Sequence, residues 1–244
     1  MINLKKEENL YTLILENKPV NALSQSFVSE LLLLIKEIEN DQKTRGLIIT
    51  TDLDNFCAGA DLKERSTMTK EESIDTVYSI KKLFERIYNL PFPTLSAIRG
   101  ACLGGGLELA MSCDFRFGLK KSLYGLPETS LGIIPGAGGT QLLPRLIGLS
   151  RAKELIFSAN RIDAIKALEY GLIDKITRED ICMESLLFMK GFLKQSSLAI
   201  KLSKRSIDQG FNVNLKSGLN IEFKEYIKTL DSEERKDFLK KYKK

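Results

Sequence analysis

The segment Cys102-Leu-Gly-Gly-Gly-Leu-Glu-Leu-Ala110 constrains this chain more than any other. Three consecutive glycines let the backbone come close to a ligand and expose its N–H groups. Glu108 follows where the chain turns helical. A second glycine-controlled segment, Tyr124-Gly-Leu-Pro-Glu128, precedes Ile134-Pro-Gly-Ala-Gly-Gly-Thr-Gln141. Two carboxylates, Glu108 and Glu128, converging on a site lined with backbone donors point to acid–base chemistry beside an anion hole.

The residues that are absent narrow the chemistry. The chain has no histidine, which excludes Ser-His-Asp and Cys-His relays and histidine-based zinc sites. Cys57, Cys102, Cys113 and Cys182 include no CxxC pair, so neither a redox motif nor a zinc knuckle is signalled, and no metal is expected. They read as small buried hydrophobes in a reducing compartment.

A chain of 244 residues, 43% hydrophobic and 28% charged, can bury a large core. No apolar run approaches the roughly 20 residues of a membrane helix. The opening Met1-Ile-Asn-Leu-Lys-Lys-Glu-Glu-Asn-Leu10 has no apolar signal core and reads as part of a first hairpin rather than a cleavable targeting segment. A cytoplasmic or organelle-matrix location is expected, with no membrane contact. The net charge of +5 is scattered except at Lys240-Lys-Tyr-Lys-Lys244, so a small phosphate-bearing ligand suits it and nucleic acid is not expected.

Strands and helices alternate in the first half. Tyr11–Leu15 reads as a strand. Ser24 caps a helix through Glu39, with Phe27, Leu31, Leu34, Ile35 and Ile38 at helical spacing. Gly46–Thr50 has the apolar character of a parallel strand, and 52–61 reads as a loop. Residues 70–89 read as a helix, and Pro93–Ile98, Phe115–Phe117 and Ser122–Tyr124 as strands. Repeated strand–strand–helix winding is expected. The first strand–helix connection lacks GxGxxG, which argues against a dinucleotide fold. After about residue 145 the strand signal stops. Helices are expected at Ser150–Phe157 and Asp163–Tyr170, then one long helical stretch over 179–209 interrupted at Gly191, then 212–242.

At this point the chain resembles the crotonase superfamily, the enoyl-CoA hydratases and isomerases. Four blocks carry the resemblance: Lys18-Pro-Val-Asn-Ala-Leu23, Phe56-Cys-Ala-Gly-Ala-Asp-Leu-Lys63, Gly104–Ala110 with Asp114, and Gly125-Leu-Pro-Glu128 through Gly139. The runs Ala60-Asp-Leu-Lys-Glu-Arg65 and Ala152-Lys-Glu-Leu-Ile-Phe157 look most like the methylglutaconyl-CoA and short-chain hydratase branch.

The resemblance implies an α/β fold, a crotonase-like spiral of ββα units. Residues 1–145 would form the core carrying the coenzyme A and catalytic site, and 146–244 a helical region for trimerisation, with a homotrimer or homohexamer as the assembly. The substrate would be an acyl-CoA thioester, with no permanently bound cofactor. The resemblance puts the thioester oxygen between the amides of Ala60 and Gly105. It makes Glu128 the acid supplying the α-proton and Glu108 the group that deprotonates water. It gives the Gly136 amide a part in placing that water, and makes Tyr124 a pocket wall. Lys18, Ala22, Ala58, Asp61 and Leu62 would border the coenzyme. Lys63 and Arg65 are candidates to meet a substrate carboxylate or to stand as exposed helix charges. A lysine-rich first helix is linked to RNA binding in relatives, but Phe27–Lys36 here is apolar with one lysine. In the helical region Leu187, Phe188, Phe192 and Leu193 are expected to seek an apolar partner, on another subunit or on their own.

Overall fold

A computed structural model describes residues 1–178, 180–240 and 242. The chain starts with the expected hairpin, β1 (Ile2–Glu7) against β2 (Leu10–Leu15), paired antiparallel from Ile2↔Leu15 to Glu7↔Leu10. Helix α1 (Gln25–Asn40) begins at Ser24, whose hydroxyl accepts the Phe27 amide and so satisfies one free helix-end donor. It buries Phe27, Val28, Leu31, Ile35 and Ile38, a face spaced by helical turns. β3 (Gly46–Thr51) is buried at every residue and runs parallel to β2, as a strand covered on both faces requires.

α2 (Leu62–Thr67) and α3 (Lys70–Tyr88) follow, α3 held at its start by a capping box between Thr69 and Glu72. β4 (Thr94–Ile98), β5 (Ala101–Leu103), α4 (Gly105–Met111), β6 (Phe115–Leu119) and β7 (Leu123–Gly125) complete the first half. A short 3₁₀ turn, Pro127–Leu131, leads to α5 (Gly139–Ile147) and α6 (Leu149–Ser158).

The strands do not stop at residue 145. β8 (Ile162–Asp163) pairs with β7, and after α7 (Ala164–Tyr170), β9 (Lys175–Thr177) pairs parallel to β6. Among the described residues the larger sheet runs β1-β2-β3-β4-β6-β9 and the smaller β5-β7-β8. At two and three residues, β8 and β9 carry no periodicity of their own; the exposed edges of β7 and β6 recruit them.

α8 (Ile181–Phe192), α9 (Ser197–Gly210), α10 (Leu215–Ile227) and α11 (Glu233–Lys240) follow. Gly191 lies inside α8 and does not interrupt it. The break falls at 193–196, where Ser196 caps α9 through the Ala199 amide. Phe188 and Phe192 of α8 pack on Phe115, with ring centroids 5.0 and 5.7 Å away, so α8 covers the outer face of the chain's own sheet. In the basic tail Lys241, Lys243 and Lys244 lie outside the described residues. Among the described residues no helix is long and apolar enough to cross a membrane.

Candidate active site

Residues 56–60 read as loop in the sequence, yet the structure threads them between two other segments. On one side the Ala58 amide donates to Val20 O at 3.0 Å and the Leu23 amide to Gly59 O at 2.8 Å. On the other the Cys57 amide donates to Ala101 O at 3.1 Å and the Leu103 amide to Cys57 O at 3.0 Å. These bonds carry Ala60 alongside Gly105, the first residue of α4. A Cβ built on Gly105 would stand 3.9 Å from the Ala60 nitrogen. Among the described residues neither amide donates to a protein acceptor. Two unsatisfied N–H groups side by side, one at a helix start, are donors of the kind that can stabilise negative charge.

Two glycines make this approach possible. Gly59 and Gly104 have φ of 97° and 52°, the left-handed region that side-chain-bearing residues avoid. A Cβ on Gly59 would also press on Leu103 O at 3.0 Å and on the Gly105 nitrogen at 3.3 Å.

Glu108 lies one turn into α4 and is 3% exposed. Its Oε1 accepts the amides of Ala137 and Gly139, both at 2.8 Å. Burial raises its pKa, and these two amides, which favour the charged form, pull it back.

Glu128 follows Pro127 in the 3₁₀ turn and is 8% exposed. The Gly104 amide donates to Gly125 O at 2.9 Å, which ties the glycine run to the strand that delivers Glu128. Glu128 Oε1 would stand 3.1 Å from a Cβ on Gly104. Its Oε2 is buried with no hydrogen-bond partner among the described residues. Burial, with a further push from the charge of Glu108, raises its pKa from 4.5 to about 7. The two carboxyls are thus set differently: two amides favour the charged form of Glu108, whereas burial disfavours the charged form of Glu128.

The other residues expected at the site divide between its rim and the interior of the protein. The Val20–Ala58 and Leu23–Gly59 bonds hold 18–23 beside 58–62. Along that rim Lys18, Ala58 and Leu62 are exposed and Ala22 half-buried. Asp61 is committed to capping α2, accepting the Lys63 and Glu64 amides. Gly136 is exposed next to Val77 of α3. Tyr124 is not a pocket wall: it is fully buried in the main core, on a strand paired with β5 on one edge and β8 on the other. Lys63 is exposed, whereas Arg65 is half-buried.

Sequence reasoning missed Ala137 and Gly139 as amide donors to Glu108. The signal was present in Pro135-Gly-Ala-Gly-Gly139, where several free amides precede a helix without a side-chain cap. Among the described residues no group of His, Cys, Asp or Glu could hold a metal ion. Cys57, Cys102 and Cys113 are buried, and all four cysteines are free.

The chain is similar to known proteins along most of its length. A family model described as enoyl-CoA hydratase/isomerase matches residues 5–244. The enoyl-CoA isomerase/hydratase fer4 of Mycosarcoma maydis is 39% identical over 241 residues, covering 94% of this chain and 88% of that protein. The mitochondrial methylglutaconyl-CoA hydratase of Homo sapiens is 42% identical over 229 residues, covering 91% of this chain and 68% of the relative. The crystal structure of an enoyl-CoA hydratase from Bacillus anthracis superposes with a TM-score of 0.96 at 37% identity, covering 99% of this chain and 95% of that one.

Proposed function

This chain belongs to the enoyl-CoA hydratase/isomerase family, with its crotonase-type α/β fold, and on that premise we propose that it is a hydratase adding water across the 2,3 double bond of a 2-enoyl-CoA. The thioester oxygen sits between the Ala60 and Gly105 amides. Glu108, ionised, takes a proton from water as its oxygen bonds to C3. The electron pair of the double bond moves toward the thioester, and charge builds on the carbonyl oxygen. Glu128, protonated, then delivers its proton to C2, and proton exchange through solvent resets the two acids. Fixed donors at the oxygen matter because one lost donor typically costs about 2.7–4 kcal/mol.

The observation that carries this reading is the unequal setting of the two carboxyls. Glu108 has two amides on one oxygen; Glu128 has a buried oxygen with none. Hydration moves two protons at adjacent carbons, so it needs one base and one acid at once. A reaction that shuttles a single proton needs only one such group.

The rim at Lys18, Ala22, Ala58, Asp61 and Leu62 borders the coenzyme, with the exposed Lys18 ammonium suited to its phosphates. Acyl-CoA is the substrate, not a resident cofactor. Residues 1–145 carry the site, and 146–244 supply a trimer interface. Turnover measured on a panel of 2-enoyl-CoAs and a 3-enoyl-CoA tests the reading. Hydration of crotonyl-CoA supports it; preference for the 3-enoyl substrate replaces it with double-bond isomerisation.

A further inference from the structure

The last backbone hydrogen bond between the segments that carry Ala60 and Gly105 is the Leu103 amide to Cys57 O, at 3.0 Å. Among the described residues none joins 58–60 to 104–105. The separation of the two free amides is therefore set by packing. Close approach of the Gly59 and Gly105 backbones supplies part of it. Leu23 supplies the rest. Its amide donates to Gly59 O at 2.8 Å, and it pairs in parallel register with Ala60. Its side chain crosses to the other segment. Cδ1 stands 2.8 Å from where a Cβ of Gly105 would be, and the Gly59 Cα and the Ala60 nitrogen lie 3.8 and 3.9 Å from that same point. One residue thus touches both amide-bearing segments, one through its backbone and the other through a methyl group.

Leu23 is itself held firmly. It is fully buried in the main core. Two residues earlier Asn21, also fully buried, donates through its side-chain amide to Asn55 O and Phe56 O, both at 3.0 Å. Its Oδ1 accepts the Asn17 amide at 2.7 Å, and its backbone carbonyl accepts the Cys57 thiol at 2.9 Å. These bonds tie 17–23 to 55–60, and Leu23 is where that unit bears on the start of α4. A close-packed interior transmits a change of this kind. Shortening Leu23 leaves a void into which 104–106 can relax, and the Gly105 amide then moves relative to that of Ala60. Donors aimed at a developing charge tolerate little movement: a misplacement of about 1 Å can cost roughly 100-fold in rate.

We infer that Leu23 is a positioning residue: its side chain sets the spacing of the Ala60 and Gly105 amides, and through it the polarisation of a bound thioester carbonyl. The inference rests on the proposed placing of the thioester oxygen between those amides, but its test does not depend on turnover. The probe is butyryl-CoA, a saturated thioester to which water cannot add, isotopically labelled at its carbonyl carbon. Infrared difference spectroscopy on the full chain reads the carbonyl band, and calorimetry reads the affinity for free coenzyme A. In the wild type the bound band should lie at lower wavenumber than in water. Leu23→Ala should lose most of that displacement, while free coenzyme A, which puts no oxygen between the amides, binds within about two-fold of wild type. Leu23→Met, which conserves volume, should keep most of it. An undiminished displacement in Leu23→Ala overturns the inference alone, because Leu23 then only fills the core. A wild-type band that does not move overturns the oxyanion placement and the inference with it. Loss of free coenzyme A binding in step with butyryl-CoA binding also overturns it, since the rim itself has then collapsed. Should Leu23→Ala fail to fold, Leu23→Val decides by the same criteria. Crotonyl-CoA hydration, assayed separately, judges the hydratase reading: its absence beside a Leu23-dependent displacement leaves the positioning role standing.

Discussion

Glu108 and Gly139 meet across 31 residues of chain, the Gly139 amide donating to Glu108 Oε1 at 2.8 Å. The contact leaves no room at Gly139. A Cβ there would stand 2.7 Å from Pro135 Cβ and 3.0 Å from both Glu108 Oε1 and Leu126 Cδ1. Gly139→Ala is expected to push the 135–139 turn off the carboxylate and lower kcat about 10- to 100-fold, in line with the cost of a misplacement near 1 Å. Gly191→Ala is the control. It lies in α8 with nothing within 4 Å of its Cβ position, so it should stabilise by about 0.5–1 kcal/mol and leave kcat alone. Steady-state kinetics and thermal melts on both variants check this.

Removing either acid should abolish most hydration without unfolding the protein. Glu108→Gln keeps the volume of a buried side chain but loses the base. Glu128→Gln loses the acid. Glu128→Gln should also stop exchange of the α-proton of a bound acyl-CoA in deuterated water, with a milder effect from Glu108→Gln. Near-normal kcat in either variant would refute the assigned roles.

The raised pKa of Glu128 has two consequences of opposite value. As an acid it works while protonated, so kcat/KM for hydration should fall as pH rises through about 7. For stability, the folded state holds this proton more tightly than the unfolded chain, whose glutamate has the ordinary value of 4.5. Between those two values the folded protein binds more protons, so rising pH erodes stability until both states are ionised. Glu128→Gln, which cannot ionise, should therefore melt higher than wild type at pH 8, and the gap should shrink toward pH 5. A constant gap across that range would mean that Glu128 does not titrate as stated.

Gly105→Val tests the proposed oxyanion role of the Ala60 and Gly105 amides without touching an ionisable group. The φ of Gly105 lies outside the left-handed region, so backbone strain is not at issue. A Cβ would meet Leu23 Cδ1 at 2.8 Å and approach the Ala60 nitrogen. Leu23 Cδ1 is the end of a flexible side chain, so Gly105→Ala should be the milder change. The β-branched valine should inactivate. It should weaken an enolate-like acyl-CoA analogue more than free coenzyme A, since only the former puts charge between the amides. Equal weakening would indicate a blocked channel.

Of the apolar residues that suggest a subunit contact in the sequence, Phe188 and Phe192 find partners on the chain's own sheet. The uncovered apolar face is elsewhere. Leu215, Leu219, Phe223 and Tyr226 of α10 are exposed at 78, 53, 64 and 58%, at helical spacing on a single stripe. Such a face is what a subunit contact covers. Sedimentation equilibrium at micromolar concentration should give a trimer or hexamer, and Phe223→Glu should shift it toward monomer. A monomeric wild type would remove the assembly without affecting the chemistry.

The sequence by itself determined the pieces whose information is local. Ser24 and the spacing from Phe27 to Ile38 specify α1, because a cap and one apolar face are set within a few turns. The Leu-Ile-Ile run within Gly46–Thr50 specifies a buried strand, and Gly104–Gly106 before Glu108 specifies a sharp entry into a short helix. Only the tertiary structure decided what these pieces meet. Residues 56–60 have no strand pattern and become ordered through bonds to 20–23 and 101–103, which is what brings Ala60 beside Gly105. β9 is three residues long and exists because β6 offers an open edge. The difference between Glu108 and Glu128 is likewise nowhere in their own segments. It comes from the Ala137 and Gly139 amides reaching one carboxyl while burial leaves an oxygen of the other without a donor. Hydrogen bonds and desolvation are set by neighbours in space, and for these residues the deciding neighbours are distant in sequence.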